Sequence, residues 1–177
     1  RFTANDIVNQ LWTSSKKGSV TVVIDVSSCA YTLHHIRPSL TGENKKKFDQ
    51  LTILDSVDFL YDMVLPTAVV KQKKNNIVLH PVCSLEKMKT GNKFITVAKY
   101  FANEVTVPKY AGCCGMAGDR GFLFPELTAS ATNHEVQEVN EGKYDGYYSS
   151  TKTCEMAMSE ALKKNYDSIL YLVDEAL

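Results

Sequence analysis

Neither sign of charge is in excess in this chain. Twenty Lys and Arg balance twenty Asp and Glu over 177 residues. A nucleic-acid partner is therefore not expected, since phosphate binding needs a basic surplus. Long apolar runs are missing as well. None approaches the roughly 20 residues that a membrane-spanning helix requires, so no span is expected. No secretory signal pattern is visible at the start, and no glycine-rich dinucleotide fingerprint occurs anywhere. The chain opens Arg1-Phe2-Thr3 rather than with Met, which suggests a piece or processed product of a longer protein. Apolar residues are not scarce: at 44% they suffice for a real core.

Cysteine is present in an odd number, five. A small secreted disulfide scaffold would carry an even set, so reduced or metal-bound thiols in a cytoplasmic setting are the better expectation. The densest stretch is Gly112-Cys113-Cys114-Gly115-Met116-Ala117-Gly118-Asp119-Arg120-Gly121. Side chains of neighbouring residues point apart, and a vicinal disulfide is strained. Two thiolates on a glycine-rich backbone suit a soft metal or an iron–sulfur cluster. The bland reading, that Cys is a small buried hydrophobe, fits one isolated cysteine better than this pair.

Helical and strand patterns alternate. Amphipathic spacing predicts helices over Thr3–Thr13, Glu43–Leu51 and Asp55–Leu65, the last stopped by Pro66. Further helices are expected from Ser84, over Phe94–Asn103, over Pro125–Val139, over Cys154–Lys163 and over Ser168–Ala176. Val20–Val26, Ile77–His80, Glu104–Val107 and Gly146–Ser149 read as strands, with Lys71–Asn76 a polar connector. Such alternation predicts an α/β fold of parallel βαβ units, in one or two small three-layer lobes.

Two segments, Val22–Ala30 and Tyr147–Glu155, share the order strand, small polar turn, Cys, helix. They predict halves related by a pseudo-two-fold axis, with Cys29 and Cys154 equivalent. Cys83 follows one predicted strand, and Cys113 and Cys114 follow another. All five cysteines thus fall just past the carboxyl end of a strand, the edge where open parallel sheets bind ligands. A helix N-terminus also lowers a thiol pKa.

The spacing of Cys83, Cys113-Cys114-Gly115 and Cys154 resembles the cysteine-rich CCG domain found in heterodisulfide reductase and in the iron–sulfur subunit of glycolate oxidase. The strings GCCGMAGDRGFLFPELTASAT and YYSSTKTCEMAM are similar to the C-terminal region of FAD- and iron–sulfur-containing D-lactate dehydrogenases. TVVIDVSSCAYTL looks like the end of the first of two CCG repeats. On that resemblance, residues 1–42 end the first repeat, 43–76 are a helical connector and 77–177 form the second repeat. It implies an iron–sulfur cluster of 4Fe–4S type, or zinc, held by Cys29, Cys83, Cys113, Cys114 and Cys154. The motif's closing Cys-x-x-Cys is incomplete here, with Thr151 and Val26 at the earlier position. The resemblance further implies FAD-binding and ferredoxin-like domains in the same full-length polypeptide and an unidentified electron acceptor. FAD belongs to those domains, where D-lactate or another 2-hydroxy acid is oxidised. The expected location is cytoplasmic, or peripheral at the inner face of the membrane.

Gly112, Gly115, Gly118, Asp119 and Arg120 are candidates for a cofactor-binding loop, with Asp119 and Arg120 expected to pair and stiffen it. His80, in a His-x-x-Cys segment, is expected to be a ligand of the centre or to donate a hydrogen bond to a cluster sulfur and tune it, or else to be a satisfied strand-end histidine. His34, His35 and His134 read as surface residues, Met156 and Met158 as packing, and Lys45–Lys47 and Lys71–Lys74 as solvated faces. Two other uses of the cysteines remain: a structural zinc module without electron transfer, and thiol–disulfide chemistry at Cys113 or Cys114 without metal.

Overall fold

The computed structural model describes residues 2–177 and is mixed α/β, with two small parallel sheets. The larger sheet has the order β4-β3-β5-β6, built from β3 (Lys74–Leu79), β4 (Ala102–Thr106), β5 (Gly146–Ser149) and β6 (Tyr166–Ser168). Every pairing in it is parallel. The chain runs from β3 out to β4 and then crosses back to β5 on the other side of β3. That reversal creates a topological switch point between β3 and β5, the usual place for a crevice in such sheets.

Strand alternation builds the layers. Ile77 and Leu79 face one core, with Leu85, Phe94, Val97, Phe101, Ile169 and Leu172. Val78 faces the other, with Val139, Met158, Leu162 and Tyr166. The first core is covered by α5 (Cys83–Met88), α6 (Gly91–Phe101) and α10 (Ile169–Ala176), the second by α8 (Pro125–Glu141) and α9 (Lys152–Leu162). Burial of these side chains is the main favourable term in holding the lobe together. α7 (Arg120–Leu123) is one turn that leads into α8.

The smaller sheet pairs β1 (Val22–Ile24) with β2 (Ile53–Asp55), also in parallel. Its crossover carries α2 (Ser27–His35) and α3 (Gly42–Phe48), while α1 (Phe2–Ser14) packs on α3. Asn5 ties those two helices: its Oδ1 accepts from Thr41 N–H and from Asn44 Nδ2. α4 (Ser56–Phe59) continues into a π-helical turn at Leu60–Val64.

The halves correspond. β1-α2-α3-β2-α4 parallels β5-α9-β6-α10 apart from the extra helix α3, and Asp55 and Ser168 each cap the helix after the second strand. A polar seam joins them. Ser27 Oγ donates to Ser150 O and lies 2.9 Å from Ser150 Oγ, and Ser168 Oγ lies 3.3 Å from Asp25 Oδ1.

Several expectations shift. Asp55–Leu65 is not one helix, because Asp55 ends β2 and caps α4. The connector Lys71–Asn76 already enters β3 at Lys74, and segment 43–76 therefore contains a strand and the start of another. Ser168 ends β6 instead of lying in α10. In each case a three-residue strand or polar strand start is too short to show periodicity.

Asp55 is fully buried in the seam, and its Oδ2 has no partner. Burial pushes its carboxyl up to about 6, against the lowering effect of the Val57 N–H and Ser27, with Asp58 and Asp25 adding to the rise. A raised carboxyl favours the protonated fold, so its stabilisation is complete below the unfolded value and is lost as pH climbs through about 6. Stability in urea should therefore fall by up to about 3 kcal/mol from that residue between pH 4 and pH 7. Asp55→Asn keeps a capping oxygen and should flatten this slope. A slope that survives in the variant would place the responsible charge elsewhere.

Candidate metal centre

His80 directly follows β3 at the switch point. Its N–H donates to Tyr148 O at 2.9 Å, and its carbonyl accepts from Ser149 Oγ at 2.9 Å. Those bonds to β5 fix the backbone and turn the imidazole into the crevice, where it is 0% exposed. Nδ1 lies 2.8 and 3.0 Å from the two carboxylate oxygens of Glu135 on α8, itself 2% exposed. A carboxylate only accepts, so Nδ1 carries the proton. Nε2 is then the free ring nitrogen, buried and without a hydrogen-bond partner. Leaving such a group unpaired costs about 1–3 kcal/mol.

Two sulfurs stand in front of it. His80, Cys114 and Cys154 offer ligand atoms that all lie within 4.8 Å of one another, and all three residues are buried. Cys154 follows β5 in the first turn of α9, and Cys114 comes from the loop after β4. Their sulfurs are 2.8 Å apart, and both cysteines are free. They share a proton unequally. The hydrogen bond from Cys154, helped by His80 and opposed by burial, holds Cys114 down at about 5. That same bond, burial and the charges of Cys114, Cys83 and Cys113 push the Cys154 thiol up. Burial pulls the His80 pKa down, but Cys114 and Glu135 outweigh it and raise it to about 9.

Cys83 and Cys113 form the rim. Both are exposed, and both line a cavity of about 520 Å³ with Pro81, Lys87 and Val107. Cys83 is the first residue of α5, and Cys113 Sγ accepts from Gly115 N–H at 3.4 Å. Cys29 is exposed in the first turn of α2, a helix that packs against α5, and is not a member of the buried group.

The glycines serve the loop's own packing. Gly115 has φ +76°, and a Cβ there would sit 2.7 Å from Leu127 O and 2.8 Å from Thr128 Cα. The loop thereby lies flush on the start of α8, where backbone meets backbone. Gly118, at φ +80°, turns the chain, and Gly112 has an ordinary backbone. Asp119 and Arg120 do not pair: both are exposed, and no ion pair joins them among the described residues. Adjacent positions entering a helix send their side chains apart. His34, His35 and His134 are exposed, Met158 is buried in the second core, and Met156 is 44% exposed.

Glu135 is the residue that sequence reading passes over. It lies on a polar helix beside His134, and only the packing of α8 over the strand ends buries it. Its signal would have been a helix-borne carboxylate awaiting a histidine partner. Thr151, where the incomplete motif lacks cysteine, is the N-cap of α9, and its Oγ1 is buried without a partner.

The donor set can do definite chemistry. Thiolate sulfurs with an imidazole suit zinc or iron–sulfur ligation, and a carboxylate behind the imidazole is a common support. No family model matches the chain. In metal-free protein, an alkylating reagent should modify Cys29, Cys83 and Cys113 first. Cys114 and Cys154 should react only on unfolding, as peptide mass mapping of a time course would show. Early labelling of Cys154 would mean that the crevice is open.

Proposed function

We propose that this chain is a metal-bearing electron-transfer module, of the kind expected in an FAD-linked 2-hydroxy-acid dehydrogenase. The observation that carries this reading is the buried group of His80, Cys114 and Cys154 past the carboxyl ends of β3, β4 and β5, with Cys83 and Cys113 exposed and lining a cavity formed by the loops after β3 and β4. Four sulfurs from three loops on one sheet edge exceed what packing needs. Cys114 and Cys154 would hold the buried side of an iron–sulfur cluster, and Cys83 and Cys113 the side facing the cavity. Bound there, the group would supply a reversible one-electron site. This chain's residues would orient it, keep water from its inner face and hold the proton on His80 Nδ1.

The resemblance of the cysteine spacing to CCG domains supports the same reading and suggests the parent activity. A 2-hydroxy acid would lose two electrons and two protons to flavin in a separate domain, becoming a 2-oxo acid. The electrons would then leave singly through this module to an acceptor. No helix among the described residues is long and apolar enough to cross a membrane. Structural zinc is the second reading, favoured by the buried Glu135–His80 pair, an arrangement frequent behind zinc-bound imidazole.

Metal and acid-labile sulfide analysis of protein purified without oxygen decides between them. Iron with matching sulfide and a broad visible absorption is expected. Cys114→Ser or Cys154→Ser should abolish both, whereas Cys29→Ser should leave them intact. Colourless stoichiometric zinc would replace electron transfer with a structural role, and a metal-free protein would refute both.

A further inference from the structure

We infer that His80 Nε2 is a direct ligand of the metal centre and that Glu135 is the positioning residue that makes it one. The inference rests on the metal-centre reading above and adds a nitrogen ligand to it. Sequence spacing leaves His80 open as a ligand, as a donor to a cluster sulfur or as a satisfied strand-end histidine, and the geometry decides among these.

Three observations converge. First, the ring has one orientation available. His80 is 0% exposed, its backbone is bonded on both sides to β5, and Glu135 takes Nδ1 with both oxygens. A carboxylate on Nδ1 fixes the tautomer with the lone pair on Nε2. Second, Nε2 has no hydrogen-bond partner although it is buried. Buried ring nitrogens in folded proteins are nearly always satisfied, so an orphan marks a group absent from the protein itself. Third, a ring nitrogen of His80 lies within 4.8 Å of both Cys114 Sγ and Cys154 Sγ, and with Nδ1 taken by Glu135 the nitrogen left to ligate is Nε2. A cation between them would bond all three and displace the proton that the two sulfurs share. A structural ion pair would need the Glu135 contact but not the bare Nε2 facing two thiols.

The consequence is functional. An imidazole ligand is neutral where a thiolate is negative, so it raises the reduction potential of an iron–sulfur centre above that of an all-cysteine one. Glu135 acts through the ring: it sets the tautomer and increases the basicity of Nε2. Removing such a carboxylate commonly weakens metal binding 10–100-fold.

The test compares the wild-type chain with His80→Ala, Glu135→Gln and Glu135→Ala, each loaded with iron and sulfide without oxygen. Pulsed electron paramagnetic resonance of the reduced samples reads nitrogen coupling. If the protein holds zinc instead, exchange for Co²⁺ makes the same nitrogen visible. The wild type should show a strongly coupled nitrogen that His80→Ala abolishes. Glu135→Gln should keep the coupling with altered strength, hold metal about 10–100-fold more weakly and unfold in the metal-free state near the wild-type temperature. Glu135→Ala should be weaker still. A merely structural pair would change the metal-free melting temperature and leave the nitrogen signal absent throughout. Metal bound with no nitrogen coupling in the wild type would overturn the inference while leaving the metal centre standing. Failure of the wild type to bind any metal would overturn both.

Discussion

Glu135 is an acid from the middle of a helix, placed where water does not reach. An ionised carboxylate without partners in such a position costs several kcal/mol, and the two bonds from His80 Nδ1 offset that. The contact constrains much else. It requires α8 to lie across the end of β3, which fixes where the chain must arrive after β4. The loop carrying Cys113 and Cys114 then has only the start of α8 to rest on, and Gly115 allows backbone to meet backbone there. On the other flank, the bond from His80 N–H to Tyr148 O and the bond from Ser149 Oγ to His80 O hold β5 against the end of β3, and α9 begins at Lys152 with Cys154 in its first turn. The Glu135–His80 contact therefore locates both buried sulfurs.

The second half of the chain could build this crevice without the first, since every member of the group falls between His80 and Cys154. What the first half adds is a polar seam. Ser27 bonds Ser150, the residue just before the N-cap of α9, and Asp25 meets Ser168, the N-cap of α10. Helix starts on one side are thus held by strand ends on the other. Hydrogen bonds at such positions contribute only about 1 kcal/mol each, but they are directional, and an apolar contact would not fix the same register. Asp55 is the cost of that arrangement: it caps α4 with one oxygen and buries the other without a partner.

The α/β class, the parallel strands and the position of each cysteine past a strand end were legible in the sequence, because long amphipathic helices and β-branched strands carry strong periodicity. Gly146–Ser149 and the Pro125 start were readable to the residue. β2 and β6 were not, since three residues such as Tyr166-Asp167-Ser168 show no period and their strand character comes from pairing with β1 and β5. His80 could be found from its distance to Cys83, but its partner could not. Glu135 is fifty-five positions away on a polar helix, and only the tertiary crossing of α8 over β3 makes the two meet. The expected Asp119–Arg120 pair failed for a local reason: neighbours entering a helix diverge.

The pseudo-repeat explains why one half holds the group and the other does not. Val26 and Thr151 are both extended N-caps without side-chain capping bonds, and Cys29 and Cys154 both follow three positions later. Backbone geometry at the two sites is therefore alike, and the difference lies in what surrounds them. Around Cys154 stand His80, Cys114 and a buried hydroxyl at Thr151. Cys29 is exposed and has no second cysteine loop on its side among the described residues. A ligand set needs donors from several strand ends at once, and β1 and β2 supply only one cysteine between them. The equivalence of Cys29 and Cys154 is thus a property of the backbone, while the buried donors His80, Cys114 and Cys154 converge only in the crevice beside β3 among the described residues.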